Sequence, residues 1–444
     1  MNRFREYEAR PAPSGWRSAT SSLYYPQFRW IYLSNVAFFF AMNGQFVVRS
    51  YLAFKLTDSA FALGLVNLAV AVPMLVVSPF GGVVADRVEK RRLIMIGQAA
   101  VVLNEAIVLV LLIAGVLAFW HMLVAAFAMG CIFPFIMPAR QSIVASIVGR
   151  QGLANAMALS MGGMNAARVA GPVLAGSMIS VIGLRWVYAV ALLLYLGALL
   201  AMSRVDRSPP AEDRGERGVF GDIADGFRYV RDDPPVRALM LLSLVPILLA
   251  MPFQMLLVVF AEDVWDVGSS GLGILQAVAG VGGILGSVYV AWRGDTRRKV
   301  RTMIASLLAF GGTLFLFAIS PWFLLALPLV LLSDVFASVF NTVNGTAIQL
   351  LVPDAVRGRV MALMMMTFGL TPLGTLPISA VAQAWGAPVA VAGAAVATVV
   401  VSVAFYLLSA SLRTVDAASN AALEDDLRAA RIGTGPTGAA RAAS

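Results

Sequence analysis

Residues 61–85 read FALGLVNLAVAVPMLVVSPFGGVVA, 25 positions without a charged side chain, and residues 86–92 read DRVEKRR, six charges in seven. At 1.5 Å per residue, such a run forms a helix of about 37 Å, enough to cross a hydrocarbon core of about 30 Å. The charge cluster that ends it fixes one end at the water interface. Unbroken apolarity argues for a membrane span, because a surface helix of a soluble domain carries a polar face.

Working outward, the pattern repeats. Runs of the same kind occupy 30–53, 61–85, 93–117, 119–146, 153–182, 186–203, 236–261, 268–292, 302–319, 321–348, 359–384 and 386–410. The joins at Leu117-Ala118-Phe119 and near Gly386 are tight. Composition agrees: 59% of the 444 residues are hydrophobic and 13% charged, with a mean hydropathy of +0.82. Soluble domains carry about 25% charged residues. The expected fold is an all-α membrane protein of twelve transmembrane helices.

The net charge is +9, and arginine supplies 30 of the 33 bases. A nucleic-acid surface would gather those bases on one polar module. Here they stand in short gaps between runs, so no nucleic-acid partner is expected. With the N-terminus inside, the inner gaps hold Arg87, Lys90, Arg91 and Arg92, then Arg150, then 204–237. Arg293, Arg297, Arg298, Lys299, Arg301, Arg357 and Arg359 continue the series, followed by Arg413 onwards in the tail. The outer gaps hold Lys55 and Arg185, with Glu262, Asp263 and Asp266. This one-sidedness is the positive-inside pattern. It predicts a multi-pass protein of the cell (inner) membrane with both termini cytoplasmic. The first run is too long for a signal-peptide core and is expected to be retained.

The longest polar interruption, 204–235, breaks helix at Pro209, Pro210, Pro234 and Pro235. Between the proline pairs, Phe220, Ile223, Phe227 and Val230 recur on one helical face, predicting an amphipathic helix on the inner membrane surface. The chain thus divides into a cytoplasmic N-terminal segment (1–29), a six-helix bundle (30–203), the linker (204–235), a second six-helix bundle (236–410) and a cytoplasmic tail (411–444). Met157-Ala158-Leu159 and Met361-Ala362-Leu363 recur 204 residues apart, as do Gly82 and Gly286. Two parallel six-helix halves are a recurring transporter plan, with substrate held near midplane between them.

Several chemistries are excluded. Cys131 and His121 are the only residues of their kinds, too few for an internal disulfide or a metal site. No Gly-Lys pair occurs, so there is no Walker-type phosphate loop. Neither H-E-x-x-H nor G-x-S-x-G is present. No cofactor, no metal and no enzymatic activity are expected. A channel would show repeated polar stripes or a filter segment, and a sensor would carry a sizeable soluble domain.

The loop Gly81-Gly82-Val83-Val84-Ala85-Asp86-Arg87-Val88-Glu89-Lys90-Arg91-Arg92 carries a G-x-x-x-D-R-x-x-[KR]-R pattern. It resembles the signature loop of the major facilitator superfamily. Pro138-Ala139-Arg140-Gln141, Leu153-Ala154-Asn155-Ala156 and Val352-Pro353-Asp354-Ala355-Val356-Arg357-Gly358-Arg359-Val360 resemble its enterobactin and macrolide exporters, a subgroup of the drug–proton antiporters. The resemblance covers about residues 28–410. It implies two pseudo-symmetric six-helix bundles and a cytoplasmic latch formed by Gly82, Asp86, Arg87 and Arg91. The second-half counterpart departs from the pattern, with Val290 where Asp86 would repeat.

Gly171-Pro172-Val173-Leu174-Ala175-Gly176 is similar to the Gly-Pro motif of those antiporters. Gly163, Ala167, Gly171 and Ala175 recur every four residues and define a flat packing groove. Gly282, Gly283 and Gly286 of the eighth run are its expected partner. The mid-helix arginine of many antiporters has no counterpart in the fourth run, where Arg140 stands at the cytoplasmic end.

An ionised side chain at bilayer centre costs about 2.5–3.5 kcal/mol on insertion scales, so each needs a partner or a wet cavity. Glu105, Arg168 and Asp334 fall mid-depth, whereas Arg49 and Arg140 stand near helix ends, where snorkelling suffices. A desolvated carboxyl can take up a proton near neutrality, which makes Glu105 and Asp334 the candidates for proton coupling. Static ion pairing of either with Arg168 is the alternative. Asn104 adjoins Glu105, and Asp334 shares a face with Asn341 and Asn344. Asn35, Asn43, Gln45 and Arg49 of the first helix are cavity candidates.

The expected function is secondary active transport by a monomer in membrane lipid. The resemblance implies proton-coupled export of an amphipathic small molecule, such as a drug or a siderophore-like metabolite. Import of a small organic solute by the same fold is the alternative from the residues, with a membrane-embedded enzyme ranked behind it.

Overall fold

The computed structural model describes residues 21–206, 219–293 and 298–419, and every regular element among them is helical. A short 3-10 turn, Ser21–Tyr24, leads into α1 (Pro26–Thr57), α2 (Ala60–Arg87) and α3 (Lys90–Ile113). Next come α4 (Phe119–Ile182), α5 (Leu184–Ser203) and the linker helix α6 (Val219–Asp232). The chain continues with α7 (Pro234–Val264), α8 (Gly268–Arg293), α9 (Lys299–Ala318) and α10 (Phe323–Leu351). It closes with α11 (Asp354–Thr367), α12 (Thr371–Trp385), α13 (Ala387–Leu408) and a helical segment at 410–419.

Eleven helical stretches among the described residues are long and apolar enough to span a bilayer. The eleventh predicted run, 359–384, is the exception. It is present as α11 and α12, joined by a 3-10 turn at Phe368–Leu370. Pro372 lacks an N–H and its ring opposes the carbonyl one turn back, so the α-helix cannot continue through this point. The fourth and fifth runs also differ from expectation: α4 keeps helical backbone through the polar interval between residues 146 and 153.

Gly183 (φ 84°) ends α4 and starts α5, and Gly386 (φ 89°) does the same between α12 and α13. Each turn needs a positive φ that a side chain would strain. The two glycines stand at equivalent places in the two halves of the sequence. His121 accepts a hydrogen bond at Nδ1 from the Ala118 N–H (2.9 Å), so the single histidine caps α4. Asp233 caps α7 by accepting from the Val236 N–H at 3.0 Å.

The chain divides into two compact units. Unit one comprises Met1–Asp58, Leu65–Glu216 and Val267–Ala277; unit two comprises Ser59–Gly64, Arg217–Asp266 and Val278–Ser444. The first turn of α2 therefore groups with unit two, and the first turns of α8 group with unit one. In unit one, Phe28, Ile31, Ile94, Ala139 and Ile143 form one buried cluster, and Phe38, Val101, Ile136, Tyr195 and Ala198 another. In unit two, Val236, Leu239, Val300, Met303, Phe340 and Ile348 pack with Leu412 and Val415 of the 410–419 segment. That segment is tied down by Asp416, which accepts from the Val300 N–H at 3.0 Å.

The outward surfaces carry large apolar side chains, among them Leu193, Leu200, Val400 and Leu408. Trp120, Trp186, Trp292, Trp322 and Trp385 are exposed at helix ends, where an interfacial aromatic belt is found. The linker helix α6 packs on α11: Gly226 lies against Arg359, and Asp225 pairs with Arg359 Nη1 at 3.3 Å. Tyr229 and Val230 join the unit-two core while Phe227 is exposed. Phe220 and Ile223 have side chains outside the described set.

Candidate functional site

Unit one encloses a charged interior. Glu105 of α3 is wholly buried, and Arg49 of α1 donates to its Oε1 through Nη2. Asn104 Nδ2 approaches the same oxygen at 3.4 Å and reaches the Ala125 carbonyl of α4 at 3.4 Å. Tyr188 and Tyr195 of α5, both buried, stand beside the pair. Three helices thus contribute to one polar cluster, and α4 supplies a backbone acceptor.

This pairing corrects the sequence expectation. Glu105 is partnered by Arg49 and not by Arg168, which is exposed and forms no ion pair among the described residues. Arg49 does not snorkel, because the carboxylate across the bundle offers a stronger partner than the distant interface. Arg140 turns inward too. Its Nη1 donates to Asn35 Oδ1, and its guanidinium stacks 4.1 Å from the Phe38 ring centroid. Phe38 in turn meets Tyr195 edge-on at 5.5 Å. Below the pair, Gln98 donates to Ser34 Oγ at 3.4 Å, and Ser34 donates to the Ala198 carbonyl at 2.8 Å.

The remaining candidates on α1 do not converge. Asn43 donates to the Phe39 carbonyl of its own helix at 2.8 Å. Gln45 is buried, and neither polar atom of its side chain has a hydrogen-bond partner among the described residues.

In unit two, Asp334 of α10 is buried and accepts at Oδ1 from Gln254 Nε2 of α7 at 3.4 Å. Gln254 lies between two π-helical segments, Pro246–Ala250 and Phe260–Val264, that re-aim α7. Asn344 is buried nearly three turns further along α10, and Asn341 is half-buried. Gly282 of α8 brings Asp334 close: a Cβ there would lie 3.1 Å from the Asp334 Cβ. Gly286 is likewise filled by Ser338, whose Oγ donates to the Gly283 carbonyl at 2.7 Å.

The packing groove on α4 also has a different partner from the one expected. A Cβ at Gly171 would meet Asn43 Cβ at 3.1 Å and Gly44 N at 3.2 Å, and one at Gly163 would meet Val36 at 2.8 Å. Ala167 is buried on the same stripe. The groove therefore receives α1. Gly282 and Gly286 face α10 instead. The contact of α4 with α8 runs through Pro172 and Gly176 on one side and Gly273 on the other.

Of the latch candidates, Arg91 donates to the Ser203 carbonyl at 2.8 Å. The side chains of Asp86 and Arg87, and the surroundings of Gly82, lie outside the described set. Sequence reasoning missed Tyr188, Tyr195, Phe38 and Gln254. The two tyrosines are seven residues apart on one helical face, a spacing that could have revealed them.

Two helical units, each enclosing a buried carboxylate and clothed in apolar side chains, define a polytopic membrane transporter of the major facilitator plan. The chain matches the transmembrane secretion effector family of that superfamily over residues 17–433, and it belongs to that family. It is 28% identical over 364 residues to the multidrug efflux pump Tap of Mycolicibacterium fortuitum, covering 78% of this chain and 87% of that one. It is 25% identical over 366 residues to the staphyloferrin A transporter of Staphylococcus aureus, covering 80% and 89%. It is 24% identical over 313 residues to the enterobactin exporter EntS of Shigella boydii, covering 69% and 73%. Among solved structures, the nucleoside transporter NupG superposes with a TM-score of 0.73 at 14% identity, covering 86% of this chain and 99% of that one. The protein is a multi-pass membrane protein and a secondary transporter of small molecules.

Proposed function

We propose that the protein exports amphipathic small molecules from the cytoplasm, driven by the proton gradient, with Glu105 as the first candidate coupling group and Asp334 as the second. The observation that carries the reading is the Arg49–Glu105 pair inside unit one. A proton delivered to Glu105 would cancel the charge that holds Arg49, so protonation changes the linkage between α1 and α3. A change in that linkage is a means of coupling proton uptake to rearrangement. Exporter relatives at 24–28% identity support the outward direction and an amphipathic substrate class. The chain would work as a monomer in the inner membrane with both termini cytoplasmic. Its two six-helix halves would bind substrate between them, and Asp86, Arg87 and Arg91 would form a cytoplasmic latch.

The test is proton-gradient-driven accumulation of dyes and drugs in everted membrane vesicles, normalised to folded protein. Wild type is compared with Glu105→Gln, Asp334→Asn and Asp86→Asn. Gradient-dependent accumulation that Glu105→Gln abolishes is the expected result. Accumulation retained in both Glu105→Gln and Asp334→Asn would sink the coupling assignment. Uptake in the opposite direction would replace export with import.

A further inference from the structure

Arg140 is 3% exposed, and its guanidinium is committed on two sides only. One face is covered by the Phe38 ring at 4.1 Å, and Nη1 is engaged by Asn35. Its Nε and Nη2 are buried and have no hydrogen-bond partner among the described residues. These two nitrogens are neighbours on one edge of the planar group. They form the fork that grips two oxygens with parallel hydrogen bonds.

No acid among the described residues pairs with Arg140, and Glu105 is already held by Arg49. Arg49 is thus matched by a carboxylate, and no acid among the described residues matches Arg140. An uncompensated charge in such a place is costly unless an anion meets it. Asn35 lies nine residues into α1 from Pro26, about 13 Å along the helix. The arginine therefore does not reach water along the helix end as a snorkelling side chain would.

We infer that Arg140 is an anion-binding residue whose Nε–Nη2 edge receives a carboxylate, with Phe38 and Asn35 holding the guanidinium plane in place. Phe38 blocks stacking from one face and Asn35 occupies the far nitrogen, so the anion approaches edge-on. The planar two-oxygen geometry of a carboxylate fits this edge better than a single spherical anion does. The carboxylate can be a free small anion or a group carried by an amphipathic molecule. The inference holds whichever direction the protein transports.

The experiment uses the purified full chain in detergent and follows its thermal unfolding midpoint at constant ionic strength as chloride is replaced by acetate. Wild type should show a saturable rise of the midpoint with acetate. Arg140→Lys keeps the charge without the fork and should weaken the apparent affinity at least about tenfold, the equivalent of one charge-assisted hydrogen bond. Arg140→Gln should abolish the effect, and Arg185→Gln, an exposed arginine elsewhere, should retain it. Equal acetate dependence in wild type and both Arg140 variants would overturn the inference. So would a wild-type midpoint that does not distinguish acetate from chloride, a result that needs no variant to fold. A second arm compares benzoate with benzamide. An effect of benzoate at concentrations tenfold below acetate, absent with benzamide, identifies a carboxylate on an amphipathic molecule as the source. Equal potency of benzoate and acetate identifies a free anion.

Discussion

Arg49 and Glu105 are 56 residues apart in the chain and form an ion pair whose carboxylate is sealed from solvent. Removing one partner of such a pair strands the other, at a cost of about 3–5 kcal/mol. Glu105→Gln and Arg49→Gln should each lower the unfolding temperature of the purified protein. The double variant should be more stable than Arg49→Gln, because no buried charge is left alone. If coupling requires the pair, transport stays absent in the double variant although the fold recovers.

Close helix approach sets a graded expectation for glycine replacements. A methyl at Gly273 would sit 2.6 Å from the Pro172 carbonyl oxygen, whereas one at Gly171 would meet Asn43 Cβ at 3.1 Å. Gly273→Ala should destabilise by about 1–3 kcal/mol through overpacking, and Gly171→Ala by less. Gly171→Leu should force α1 away from α4 and reduce the yield of folded protein. Melting curves of the three variants order the effects, and a Gly171→Ala loss exceeding that of Gly273→Ala would contradict the packing described.

Tyr229 at the end of α6 donates to Asp233 Oδ2 at 3.3 Å. Desolvation, together with the neighbouring carboxylate, pushes its hydroxyl up from 10.0 to about 12. A raised value favours the neutral form in the folded state. The contribution is therefore intact below pH 10 and is lost as the pH rises towards 12. In an ultraviolet titration of phenolate formation, the difference between wild type and Tyr229→Phe should be a single step near pH 12. Asp233→Ala should shift that step downward and also weaken the start of α7 by about 1 kcal/mol, since Asp233 is its cap.

The 410–419 segment is expected to be indispensable to unit two. Ending the chain after residue 409 removes Leu412 and Val415, both wholly buried, and the Asp416 contact to the Val300 N–H. Burial of each aliphatic side chain is worth about 1.5–3 kcal/mol. The truncated protein should aggregate or melt well below the full chain. Asp416→Ala alone should cost about 1 kcal/mol, as loss of a helix cap does. A truncated protein that melts with the full chain would show that the segment is an appendage.

Much of this architecture is legible along the chain, because a span is a local property: residues 61–85 are apolar whatever surrounds them. Depth along a helix is also local, which is why Glu105 is found buried where the count places it. Partnership is different. The spacing of Gly163, Ala167 and Gly171 announces a groove, yet nothing in it says that α1 and not α8 fills the groove. Likewise, Arg49 looks like an end-of-helix residue until α3 presents Glu105 across the bundle. Tyr188 and Tyr195 escape notice because each reads as one more aromatic in an apolar run. The break between α11 and α12 falls beside Pro372, inside a run whose apolar length by itself reads as one span.

The core of unit two joins Val236 to Val415. Those residues are made at opposite ends of about 180 residues of synthesis, which at 5–20 residues per second takes roughly 10–35 seconds. Throughout that interval the residues of α7 and α9 that meet Leu412 and Val415 lack that cover. The helices of this unit can enter the bilayer one after another, but the end that Leu412 and Val415 cover closes last. A nascent chain stalled near residue 409 would therefore present the same raw apolar surface to quality-control proteases as a damaged one.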